Sequence, residues 1–90
     1  MAQAIVDPEQ LRQFATMLRR FNETLSQAAG MLNQEMQRLG TSWRDQEHEK
    51  FTVQFEEELK QVGRLIESSE RHIPYLLRKA ELIEEYQRHG

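Results

Sequence analysis

Across most of this 90-residue chain the apolar residues recur at steps of three and four, the spacing of one face of an α-helix. In the first half the row runs Leu11, Phe14, Leu18, Phe21, Leu25, Ala28 and Leu32, continued by Met36 and Leu39. In the second half it runs His48, Phe51, Phe55, Leu59, Val62, Ile66, Ser69, Ile73, Leu76, Ala80 and Ile83. Between them stands Gly40-Thr41-Ser42-Trp43, a helix breaker followed by the single tryptophan. The pattern dictates an all-α fold in one domain, an antiparallel two-helix hairpin. Helix one is expected over about 8–39, the bend at 40–43 and helix two over about 44–73. A three-four alternation repeats every seven residues, which makes a narrow apolar seam suited to left-handed supercoiling against a partner.

Local signals place the helix ends. Asp7 can cap helix one, Pro8 suits the first helical position, and Gln10 sits three after the cap. Gly40 is placed to end that helix in the left-handed conformation. Ser42 with Asp45 three residues later reads as a capping box for helix two. Gly30, inside helix one, costs about 1 kcal/mol relative to alanine and so marks a close approach of a second backbone. Pro74 cannot donate to the carbonyl of Glu70, and its ring crowds that carbonyl, so a kink is expected there with a helical extension over 75–87.

Counting residues gives the extension a meaning. Helix one is about 48 Å long at 1.5 Å per residue. A partner helix of the same length that starts near Arg44 ends near Tyr75, so everything beyond Pro74 is expected to overhang the hairpin. That segment stays amphipathic, with Leu76, Leu77, Ile83 and Tyr86 available to dock on a partner. Burial points the same way for the whole chain. A lone hairpin covers the strip where its helices touch and leaves flanking residues such as Phe14, Phe21, Leu65 and Leu77 half in water. The usual remedy is a second hairpin, giving a four-helix bundle. The expected partner-facing residues are Phe14, Leu18, Phe21 and Leu25 on helix one and Phe55, Leu59, Val62 and Ile66 on helix two, with Leu76, Leu77, Ile83 and Tyr86 beyond the proline.

Composition removes several function classes. Twelve Lys+Arg stand against 15 Asp+Glu, a formal net charge of −3, with no basic cluster beyond Arg19-Arg20, so nucleic acid is not an expected partner. There is no cysteine to form a disulfide. No apolar run approaches the ~18 residues needed to cross a membrane, so membrane insertion is not expected. The first eleven residues hold no Lys or Arg and only the short apolar stretch Ala4-Ile5-Val6, unlike a conventional secretory signal. Export, if it occurs, must use another route. A nucleophile with a base at recognisable spacing and a Gly-rich phosphate loop are both missing, so no enzyme activity and no cofactor are expected. Asp45 and His48, at i and i+3, are one half of an acid-x-x-His metal motif, with Glu35 across the bend. A single copy with Asp in place of Glu reads better as an ordinary polar face, and no metal is expected. Glu56-Glu57-Glu58 reads as a solvated run, and His72 and His89 as solvated.

The bend carries a resemblance. Leu39, Gly40, Trp43, Arg44 and Asp45, with Phe51 eight residues after the tryptophan, lie between two helices in a short chain. This resembles the WXG family of small helical hairpins exported by type VII (ESX-type) secretion systems, and the likeness spans essentially the whole chain. The family writes Trp-x-Gly where this chain has Trp43-Arg44-Asp45, which implies a divergent member with a more directly capped helix two. The resemblance implies a non-enzymatic secretion substrate or secretion partner. It would pair as a homodimer or as a heterodimer with a related hairpin, and it would engage a secretion ATPase or a larger exported cargo. It would sit in the cytoplasm before export and be secreted without a signal peptide. The alternative is an intracellular adaptor or chaperone of the same fold that is never exported. The export signal common in the family, Tyr-x-x-x-Asp/Glu, is not matched, since Tyr75 is followed by Lys79 and Tyr86 by Gly90. A looser pattern, with an acidic residue among spaced hydrophobics, fits Ile66, Glu70, Ile73 and Leu77. Trp43 itself is expected either to plug the hairpin end between Leu39 and Phe51 or to line a groove there.

Overall fold

The computed structural model describes residues 6–89, so Ala4 and Ile5 of the short apolar stretch lie outside the described residues. The chain is all-α, with no strand among the described residues, and its helices are α1 (Pro8–Leu39), α2 (Gln46–Glu70) and α3 (His72–His89). They make a helical hairpin whose second arm is bent. α1 begins as its sequence signals: the backbone N–H of Glu9 donates to Asp7 Oδ1 at 2.9 Å, and that of Leu11 to the Asp7 carbonyl at 3.2 Å.

The bend in the second arm lies at Arg71, whose N–H donates to the Ser68 carbonyl at 3.3 Å in a turn rather than continuing α2. Pro74 then falls in the first turn of α3, where an N–H would have no intrahelical acceptor. The proline thus breaks the helix upstream of itself. The α2 ladder ends at the carbonyl that the ring would have crowded, and a new helix starts with the proline in a tolerated position.

The chain packs as two compact units. The first joins residues up to Asn22 with those from Ser68 onward. It buries Ala15, Ile73, Ala80 and Ile83, and also the polar side chains of Asn22 and Ser69. Arg12 grips Glu84 with a two-pronged fork, Nη1 to Oε2 at 2.7 Å and Nη2 to Oε1 at 2.5 Å. The expected overhang past Pro74 is therefore corrected: α3 packs beside the first half of α1 at least as far as Glu84. Counting backbone rise alone misplaced it. Helical side chains lean toward their own N-terminus, so antiparallel partners meet with their Cα atoms offset along the axis, and an arginine adds several ångströms of reach.

The second unit, Glu23–Glu67, holds the bend between α1 and α2 and buries Met36. The end of α1 is satisfied by a continuing turn. The N–H groups of Thr41 and Ser42 donate to the carbonyls of Arg38 and Leu39 (3.0 and 3.1 Å), and that of Trp43 to Leu39 as well (2.9 Å). No described residue has a positive φ, so Gly40 does not end the helix in the left-handed conformation expected of it. Its role is close approach instead. A Cβ there would lie 3.3 Å from the His48 ring and 3.3 Å from the Gln37 carbonyl oxygen. Gly30 shows the reverse correction, since a Cβ on it would meet nothing within 4 Å in this chain. It borders a shallow depression lined by Ala29, Asn33, Glu56, Leu59 and Lys60.

α1 turns a less apolar row inward than its sequence advertises. In the first unit the α1 residues kept from water are Pro8, Leu11, Arg12, Ala15, Leu18 and Asn22, and in the second Leu25, Ala29 and Met36. The leucines belong to the row read from the sequence, but Ala15 and Asn22 take the places of Phe14 and Phe21, which stay 60% and 53% exposed. Small side chains let two helices come to the short end of the usual 8–10 Å separation, which two phenyl rings in the seam would prevent. Phe14, Phe21 and Leu65 are thus left in water, as the burial argument anticipates.

The two glycines give opposed predictions. Gly30→Ala should raise stability by about 0.5–1 kcal/mol, because it removes unfolded-state freedom and collides with nothing. Gly40→Ala should lower it through the contacts above, and urea midpoints measure both. The Arg12 fork gives a pH dependence. The hydrogen bond from Arg12 holds the Glu84 carboxyl below its usual range, and the same bond raises the Arg12 guanidinium. With the folded-state value depressed, the stabilisation is present above the unfolded carboxyl's value and is lost as pH falls through the folded one. Glu84→Gln should therefore be less stable than the parent at neutral pH, and the gap should close on acidification. Urea midpoints at stepped pH values check this.

Candidate functional site

The bend brings its motif residues together. Trp43 is half-buried and lies against α2: its ring centroid is 5.7 Å from that of Phe51 and 5.2 Å from that of His48. Phe51 stacks in turn on Phe55, with centroids 5.5 Å apart and planes 13° from parallel. Trp43, Phe51 and Phe55 therefore form a short aromatic ladder along the first three turns of α2. Offset contacts of this kind add about 0.5–1.5 kcal/mol per pair to the area they bury. Leu39 remains partly exposed at the end of α1, and Arg44 is exposed. His48 is half-buried beside Gly40, with Nε2 3.2 Å from the Thr52 hydroxyl.

Asp45 starts α2. The backbone N–H of His48 donates to Asp45 Oδ1 at 3.0 Å, and the Asp45 carbonyl accepts the first helical bonds from His48 and Glu49. The capping box expected from Ser42 and Asp45 is not formed, because Ser42 Oγ turns back to the Leu39 carbonyl at 3.3 Å and Asp45 is itself the cap. The helix consequently opens at Gln46, two residues later than its sequence suggests. With the Asp45 carboxylate engaged as a cap, the Asp45–His48 pair has a structural explanation. No group of three or more His, Cys, Asp or Glu side chains is arranged to hold a metal among the described residues.

The remaining candidate residues divide by exposure. Ile83 is buried inside its own chain, and Leu18, Leu25, Phe55, Leu59, Val62, Ile66, Leu76 and Leu77 are half-buried. Phe14, Phe21 and Tyr86 face water, Tyr86 at 74% exposure. Sequence reasoning missed several companions. Met17 and Met31 lie exposed on α1, Val53 on α2, and Tyr75 and Leu82 on α3. The spacing of Phe14, Met17 and Phe21 by three and four, outside the leucine row, was the signal available for Met17. Tyr75, Leu82 and Tyr86, spaced by seven and four, form a comparable outward row on α3. No described helix is long and apolar enough to cross a membrane.

The bend at Trp43 and the helices on either side of it fall within a stretch that matches a family model. The family model WXG100, proteins of 100 residues with WXG, covers residues 3–86. The chain belongs to the WXG100 family. No curated protein and no solved structure is a significant match to it. The family consists of small helical proteins of type VII secretion, and it is a non-enzymatic, secretion-associated one. In this member the motif glycine is Asp45, and the hydrogen bonds above show what the replacement does. Glycine and aspartate are both acceptable at the residue that precedes a helix, but aspartate adds a side-chain acceptor for an otherwise orphan N–H. Asp45→Gly, which restores the family motif, should cost only a few tenths of a kcal/mol, whereas Asp45→Ala should cost about 1 kcal/mol. Thermal or urea unfolding of the two variants beside the parent tests the ranking.

Proposed function

We propose that this WXG100 protein is a type VII secretion substrate or secretion partner that works as a helical hairpin paired with a second hairpin, the same chain or a related one, in a four-helix bundle. One observation carries the reading: the aromatic row of α1 is left in water while a row containing Ala15 and Asn22 is buried. Covering each phenyl ring is worth roughly 1.5–3 kcal/mol, so Phe14 and Phe21 hold back a large share of what this chain could gain from burial. The buried apolar set is correspondingly thin, namely Ala15, Met36, Ile73, Ala80 and Ile83, and no large side chain is fully enclosed among the described residues. A partner hairpin laid on that row would supply the missing core. The partly exposed Leu39 and the Trp43–Phe51 ladder at the bend are the surface we assign to recognition by a secretion ATPase or by a larger cargo. Export would proceed from the cytoplasm without a signal peptide.

Sedimentation of the purified chain at micromolar concentration, alone and with its co-expressed partner, tests the pairing. The parent should sediment as a dimer, and Phe14→Asp/Phe21→Asp should sediment as a monomer. A cooperatively folding parent that stays monomeric in both settings would refute it. Export is tested separately, by culture-supernatant detection with and without the membrane ATPase of the secretion system. Loss of extracellular protein in the ATPase-deficient strain is expected, and retention of the parent inside cells under both conditions would favour a resident adaptor.

A further inference from the structure

α1 is close to self-similar under a shift of seven residues, because leucine stands at 11, 18, 25 and 32. The inner row between those leucines reads Ala15, Asn22, Ala29 and Met36. The facing helices repeat in the same way, with Ile73 and Ala80 in one series and Ser69, Leu76 and Ile83 in the other. Apolar packing alone therefore discriminates poorly between one alignment of the arms and another displaced by a heptad. Two of these three series are broken once by a polar residue, one by Asn22 on α1 and one by Ser69 on α2. Among the described residues these are the two buried polar side chains of the first unit, at 2% and 8% exposure. The Asn22 amide is enclosed, and neither its nitrogen nor its oxygen has a protein partner. A buried amide left this way is rare, and an internal water is the usual remedy when a second polar group is at hand.

We infer that Asn22 and Ser69 form a polar key in the seam, bridged by an internal water, which fixes the register of α1 against the end of α2 and α3. The role is that of the single buried asparagine of a coiled coil, which selects one alignment at a cost in stability. A slip by one heptad separates the two polar residues and buries the Asn22 amide against an apolar side chain with no water site. The Arg12–Glu84 fork also favours the native alignment, but it is a partly exposed pair, so it discriminates weakly against the slip.

The test uses the full chain with spin labels on Gln13→Cys and Gln87→Cys, at exposed sites in the first unit, diluted with unlabelled protein so that only distances within one chain are read. The labelled parent should give one distance. Asn22→Leu and the smaller Asn22→Ala should each add a second population at a different distance, because a heptad slip moves one label about 10 Å along the helix axis, seven residues at 1.5 Å each. Asn22→Leu should also raise the urea midpoint, because an apolar side chain replaces a buried amide that selects the alignment at a cost in stability. Ser69→Ala should lower the midpoint in the parent and leave it unchanged in the Asn22→Leu background, since the two residues would share one water. A single unchanged distance in both Asn22 variants, or additive effects of Asn22→Leu and Ser69→Ala, would overturn the proposal.

Discussion

α1 offers two apolar rows that share the same leucines, and a single hairpin can cover only one of them. The choice that follows organises the molecule. Leu11, Leu18 and Leu25 lie between the rows and are half-buried whichever side is used. Taking Ala15, Asn22 and Ala29 inward fills the seam with small side chains and turns the phenyl rings of Phe14 and Phe21 outward. Intrachain packing is thus poor in apolar area, whereas the outward row of α1 is rich in area and exposed. That imbalance is what motivates the pairing we propose.

The bend follows a similar logic with different chemistry. Gly40 admits the His48 ring against the end of α1, and Asp45 supplies the acceptor that α2 needs for its first turn. Trp43 lays its ring on Phe51 and so ties the bend to the first turns of α2. The family places a glycine where this chain has Asp45. Since the residue before a helix carries a non-helical backbone and its side chain can receive an N–H, an aspartate there preserves the bend and stiffens its exit. The departure from the family motif thus changes the local hydrogen bonding more than the path of the chain.

The fold class was legible because long amphipathic helices are the strongest signal a sequence carries, and the second arm shows it best. Ile66, Ser69, Ile73, Leu76, Ala80 and Ile83, read by spacing, are all kept at least half from water. The first arm was legible only in part. Spacing counts apolar residues, and the inward row there uses alanine and asparagine, which carry little or no hydrophobic signal, while the phenylalanines that do carry it point outward. The start of α2 and the position of α3 were missed for other reasons. Ser42 and Asp45 are both competent caps, and only the geometry shows that Ser42 bonds backward to Leu39. The reach of Arg12 to Glu84 depends on side-chain lean, which residue counting leaves out.

The second arm keeps one inward row across its break. The turn at Arg71 interrupts the helix, yet Ile66, Ser69, Ile73, Leu76, Ala80 and Ile83 hold their three-four spacing through it, so α3 continues the face that the end of α2 turns inward. It does so with Ile73, Ala80 and Ile83 inward and Arg12 gripping Glu84, and this leaves Tyr75, Leu82 and Tyr86 in a row facing out. The chain thus secures α1 with one face of α3 and leaves an aromatic face on the other, the same division of labour that α1 makes between Ala15 and Phe14.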